Sequence, residues 1–234
     1  MRTFILSFII FLSPSIIYAE KSNLALGKAV YEETCISCHG VKGETNPEMK
    51  LVVTPRKLNE TILTEDQSFQ IVKYGAHHWG AHSELMSSFK SVYTEEQLYA
   101  VATYISTTFN SHRTQRIQDL LNESTTLSEK EEKSMLKVGG KIFKRRCAWC
   151  HGETGNGEST YVEASKDNKD LIYPYNLTRT LLDEDQIFLY AKYGGHFWGA
   201  GSDDMPSWKK KYNDVKLKSV AYFIETQIKK IKKK

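Results

Sequence analysis

The chain has 234 residues, 40% apolar and 26% charged, with 32 Lys and Arg against 28 Asp and Glu. That balance belongs to a globular protein of one or two domains and excludes wholesale disorder and a polytopic membrane protein. The formal charge of +4 owes much to a tail of five lysines (Lys229, Lys230, Lys232, Lys233, Lys234), so no broad basic face suggests nucleic acid.

In chain order, Met1-Arg2 precedes an apolar run from Phe4 to Ile17 and then Tyr18-Ala19. This is the pattern of a secretory signal peptide over 1–19, cut after Ala19. The run is shorter than the roughly 20 residues of a spanning helix and is interrupted by Ser13-Pro14-Ser15. Ile17, at a position where a small residue usually stands, leaves a membrane-anchored form open. The expected location is therefore the periplasm, with no stable span after cleavage. Residues 24–34 are expected to form a helix leading into Cys35-Ile36-Ser37-Cys38-His39-Gly40. A short helix over 65–73 with an acidic first turn follows, and then a helix over 95–109. The latter opens on a Thr94/Gln97 capping box and carries apolar residues at 98, 101, 102 and 105.

The chain is then written again. Cys147-Ala148-Trp149-Cys150-His151-Gly152 repeats the first motif at an offset of 112, and the offset is 119 further on. Tyr74 to Phe89 matches Tyr193 to Trp208 with nine of sixteen residues identical, Met86 and Met205 among them. The second copy is expected to hold helices over 135–146 and 184–192 and a last helix capped by Asn213. Between the copies, 111–133 is a polar linker in which Ile117, Leu120 and Leu121 suggest a docked helical segment. The expected organisation is a first domain over 20–110, the linker 111–133, and a second domain with its Lys-rich tail over 134–234.

Cys-x-x-Cys-His is the attachment signature of c-type haem. Two thiols one helical turn apart can each add to a vinyl group, and the following imidazole then meets the iron. The cofactor expected is therefore two covalently attached haem c groups, held by Cys35 and Cys38 and by Cys147 and Cys150. His39 and His151 are the proximal iron ligands. Competing readings are one Cys₄ zinc site, a thioredoxin-like redox pair, or a disulfide within each pair. None of these gives a reason for the duplicated His and Met.

With these residues in view, both halves resemble class I cytochrome c domains, and the whole resembles the tandem dihaem cytochromes c of bacterial periplasms. The resemblance covers about 24–109 and 135–228. It implies an all-α fold of two class I cytochrome c domains in tandem, each wrapped around a covalent haem. Gly27 with Tyr31, and Gly139 with Phe143, match the family's first helix; Tyr104 and Phe223 match the last helix's aromatic contacts. Pro55-x-x-Leu58 and Pro174-x-x-Leu177 resemble the loop whose Pro carbonyl receives the proximal imidazole N–H. Met205-Pro206 fits the family's distal ligand, whereas Met86 is followed by Ser87 in place of Pro.

Met86 and Met205 are accordingly expected as distal ligands. His77 and His196, nine residues before each, are the alternative. A six-coordinate His/Met iron favours electron exchange over chemistry at the metal. The expected function is a periplasmic carrier of single electrons, with no catalytic residue, serving periplasmic or membrane redox proteins such as an oxidase, reductase or dehydrogenase. Two other classes stay open. One is a dihaem oxidoreductase, peroxidase-like or thiosulfate-oxidising, that opens the first haem beside His77, His78 and His82. The other is a cytochrome subunit of a dehydrogenase or reductase complex.

Overall fold

The computed structural model describes residues 23–48, 54–81, 84–165, 173–200 and 204–230. The expected signal segment lies outside these residues, as do His82, Met49 and the last four residues of the tail. Among the described residues every regular element is helical. No helix among them is long and apolar enough to cross a membrane.

The first repeat opens with α1, residues 23–39, in which a π-helical turn, Tyr31–Cys35, joins the helix 23–30 to Ile36–His39. Then come α2 (Glu65–Tyr74) and α3 (Glu95–Thr108). A separate helix, α4 (Arg113–Asn122), crosses the linker, and Ile117, Leu120 and Leu121 pack its inner face onto the second repeat's core. In the second repeat α5 runs from Glu129–Ile142 through the π turn Phe143–Cys147 to Ala148–His151. The short α6 (Thr160–Ala164), α7 (Glu184–Tyr193) and α8 (Asp214–Phe223) follow. The Thr94/Gln97 box opens α3 with bonds of 2.9 and 3.3 Å, and Ser128 N–H donates to Glu131 at the start of α5.

In each repeat the first and last helices cross at a glycine. A Cβ on Gly27 would stand 2.0 Å from the Ala100 carbonyl oxygen, and one on Gly139 would stand 1.9 Å from that of Ser219. The aromatic partners flank these crossings, Tyr31 with Tyr104 at 5.6 Å and Phe143 with Phe223 at 5.5 Å between ring centroids. Around them Val30, Tyr31, Val72, Leu98, Val101 and Ile105 form one buried cluster. The larger second cluster includes Phe143, Phe188, Leu189, Trp198, Leu217 and Val220.

The repeats meet face to face with approximate two-fold symmetry. Lys57 N–H donates to the Gly199 carbonyl and Asn176 N–H to that of Gly80, both at 2.9 Å. Each bond maps onto the other under the 119-residue offset. At the centre, Gln67 and Gln186 exchange amide bonds of 2.8 and 2.9 Å. Each also donates to a backbone carbonyl of the opposite repeat, Gln67 to Leu181 and Gln186 to Ile62. Both side chains are buried and also complete capping boxes on α2 and α7.

Replacing Gln186 with leucine would therefore strand buried polar groups in the opposite repeat. The expected cost is about 2–3 kcal/mol, with one calorimetric transition separating into two. Gln97→Leu, which only loses a cap within its own repeat, should cost about 1 kcal/mol and keep a single transition. An unchanged transition in Gln186→Leu would refute the role of this pair.

Candidate functional site

The first cysteine of each motif is the last residue of its π-helical turn. Such a turn spans one extra residue, so the face carrying the cysteines is rotated relative to the helix that leads in. The helix ends immediately after the histidine, at Gly40 and Gly152, with φ of +71° and +78°. A Cβ on Gly152 would come within 2.3 Å of the Glu158 carbonyl oxygen. The duplicated Gly after His is thus required by backbone conformation and close approach.

The proximal histidines are held alike. His39 Nδ1 lies 3.0 Å from the Arg56 carbonyl oxygen and His151 Nδ1 lies 2.9 Å from that of Tyr175. A carbonyl only accepts, so Nδ1 carries the proton and Nε2 keeps its lone pair. Burial lowers the pKa of both imidazoles below the ordinary histidine value, which favours the neutral, metal-binding form. The accepting carbonyl belongs to the residue after each proline, where the family resemblance implied the proline itself. In the first repeat the Pro55 carbonyl oxygen accepts the Thr45 hydroxyl at 3.0 Å instead.

The four cysteines are free thiols, each partly exposed. Burial and the neighbouring cysteine raise the pKa of Cys35 to about 12, and Cys147 is raised to about 12 in the same way. Among the described residues no three His, Cys, Asp or Glu converge on a possible ion position, so the two pairs do not build one Cys₄ centre. The donors in each repeat, two thiols and an Nε2 lone pair on one helical turn, fit a covalently attached haem c.

The methionine loops are positioned by the repeated Tyr-Gly corner. Ala76 N–H donates to the Met86 carbonyl and Gly195 N–H to that of Met205, both at 2.9 Å. Gly75 and Gly194 stand at φ of +82° and +85°, and a Cβ there would meet these loops at 2.8–3.0 Å. Met86 is partly buried and packs against the first core. His77 and His196 instead lie exposed on the 3₁₀ turns His77–Trp79 and His196–Trp198. The turns are pinned by their tryptophans, Trp79 Nε1 donating to the Gln70 carbonyl and Trp198 Nε1 to that of Leu189.

Three features were missed in the sequence reading. Gly80 and Gly199, next to Trp79 and Trp198, are contact points between the repeats. A Cβ on Gly80 would stand 2.4 Å from the Asn176 carbonyl oxygen, and one on Gly199 would stand 2.5 Å from that of Lys57. Gln67 and Gln186 were seen only as matching residues. Arg56, beside the proximal loop, was not singled out at all. Glycine duplicated at one offset was the signal available for the first.

The chain matches the family model described as cytochrome C oxidase, cbb3-type, subunit III over residues 22–105 and 134–224. The cbb3-type cytochrome c oxidase subunit CcoP of Cereibacter sphaeroides is 23% identical over 199 residues, covering 85% of this chain. The chain spans 59% of that relative's length. Among solved structures, a chain of the reducing HAO-like protein complex of Kuenenia stuttgartiensis aligns with a TM-score of 0.45 and 18% identity. The alignment covers 87% of this chain and 96% of that one.

Proposed function

We propose a specific role for this chain, which belongs to the cytochrome c family of the cbb3-type oxidase subunit III: an exported dihaem carrier of single electrons. That it is a tandem dihaem class I cytochrome c, and so an electron-transfer cytochrome, follows from the family and the two matched domains. The finer reading assigns covalent attachment to Cys35, Cys38, Cys147 and Cys150, proximal ligation to His39 and His151, and distal ligation to Met86 and Met205. Bound haem supplies a one-electron ferric/ferrous couple, with a thioether ligand favouring the ferrous form.

The observation that carries the reading is the duplicated proximal geometry. In both repeats a backbone carbonyl takes the Nδ1 proton and leaves Nε2 to ligate, the outer contact that orients a metal-bound histidine. The packing of partly buried Met86 against the first core supports a methionine distal ligand over the exposed His77. Partner docking is expected to use charge. Residues 134–234 hold 19 Lys and Arg against 12 Asp and Glu, while residues 20–110 hold 8 against 11. Arg145 and Arg146 before Cys147, and Lys209, Lys210 and Lys211 after Met205, are exposed. An acidic-faced redox protein is the partner this surface suits, bound transiently and weakened by salt.

The test is spectroscopic. Purified holoprotein should give two haem c groups per chain by pyridine haemochrome and show the sulfur-to-iron charge-transfer band at the red end of the ferric spectrum. Met205→Ala and Met86→Ala should each remove about half of that band, and the double variant all of it. A band untouched by both would refute the ligand assignment. A second reading is favoured by the similarity to CcoP, a named oxidase subunit: residence in a stoichiometric redox complex. Co-purification at fixed stoichiometry and high salt would select it over a diffusing carrier.

A further inference from the structure

Arg56 occupies an unusual place between the repeats. Its carbonyl holds the first proximal histidine through His39 Nδ1 at 3.0 Å. Its side chain crosses to the second repeat, where Nη1 donates to Tyr190 Oη and, at 3.0 Å, to the Trp198 carbonyl oxygen. The guanidinium carbon stands 5.7 Å from the Tyr190 ring centroid. It also lies close enough to Tyr175 for each to perturb the other electrostatically. Tyr175 is the residue whose carbonyl holds the second proximal histidine. Under the 119-residue offset Arg56 and Tyr175 are equivalents, so the symmetry of the junction is broken by one cation.

Among the described residues, the groups that act on the guanidinium are phenols and a carbonyl rather than carboxylates. A guanidinium keeps its charge across the whole working pH range. The junction therefore carries a permanent positive charge between the two proximal walls, in a setting that screens it less than water would.

We propose that Arg56 is a positioning residue that ties the first proximal ligand to the second repeat and sets the potentials of both redox centres through its fixed charge. The inference rests on the dihaem electron-transfer reading. A cation near the iron disfavours the ferric state, which carries one more positive charge than the ferrous state. Removing that cation should therefore lower the midpoints.

The experiment is a redox titration followed by absorbance on full-length holoprotein, comparing the native chain with Arg56→Gln, Arg56→Lys and Lys28→Gln. Lys28→Gln is a control that makes the same charge change on an exposed helix face, where Lys28 pairs with Glu32. In Arg56→Gln the ferric-to-ferrous ratio at fixed poise should rise about threefold to tenfold. That corresponds to a fall of about 28–59 mV in the mean of the two midpoints, at about 59 mV per tenfold for one electron. Arg56→Lys should restore most of the shift, and Lys28→Gln should change the ratio by less than about twofold. A native-like titration of Arg56→Gln overturns the proposal. So does an equal shift in Arg56→Lys, which would leave only a role in shape, or in Lys28→Gln, which would leave only net charge. A native chain that binds no haem c would instead defeat the underlying reading, and is distinguished by its haemochrome before any titration.

Discussion

Replacing Gly139 with valine should unfold the second repeat. Glycine inside a helix ordinarily costs about 1 kcal/mol relative to alanine, so filling such a position on a free helix would stabilise it. Here the sign reverses. The new Cβ would stand 1.9 Å from the Ser219 carbonyl oxygen, 2.5 Å from its carbon and 3.0 Å from Phe223 Cβ. Two of these are backbone atoms of α8, so relief requires the helices to separate. Overpacking of this kind costs about 1–3 kcal/mol when side chains can yield, and more is expected where backbone blocks the way.

Gly140 is the internal control. The three atoms nearest a Cβ there all belong to the Phe223 ring, at 3.0–3.6 Å, and a ring can turn. Urea melts should therefore place Gly139→Val well below the native chain and Gly140→Ala close to it. Equal melts for both would refute the crossing. Gly27→Val should reproduce the effect in the first repeat, where the Ala100 carbonyl oxygen is 2.0 Å away.

Chain produced without haem attachment should fail to fold, even with all its helices encoded. Among the described residues the first repeat's cluster contains six buried apolar residues, and Cys35, Met86 and Leu58 lie at its margin. A unit of this size buries a smaller share of its surface than a large domain and is marginal without added support. The expected observation is weak helical circular dichroism and rapid proteolysis for the haem-free chain, against protection of the holoprotein. The second repeat, with the larger cluster and α4 docked on it, should retain the more residual structure. A haem-free chain that melts cooperatively would count against haem as part of the core.

Much of the architecture was legible in the residues themselves. Helix spans, capping boxes and the first-to-last helix crossing are local or pairwise properties, written in spacing and in the size of one side chain. The helix over 135–146 proved longer, running from Glu129 through the π turn to His151. No spacing rule announces a single i−5 bond. The resemblance placed the proximal carbonyl on the proline, one residue before the Arg56 and Tyr175 carbonyls that the fold turns toward His39 and His151.

By itself, then, the sequence determined the duplication, the helical class and the Cys-x-x-Cys-His chemistry, since each depends on residues near one another in the chain. Only the tertiary structure decided how the two copies meet. Gln67 finds Gln186, Gly80 finds Asn176, and Arg56 reaches Tyr190 and Trp198 across more than a hundred residues. Those pairings arise from surfaces that exist only once each repeat has closed around its core. The same two-fold meeting sets Arg56 alone at the junction, since its equivalent in the second repeat is Tyr175.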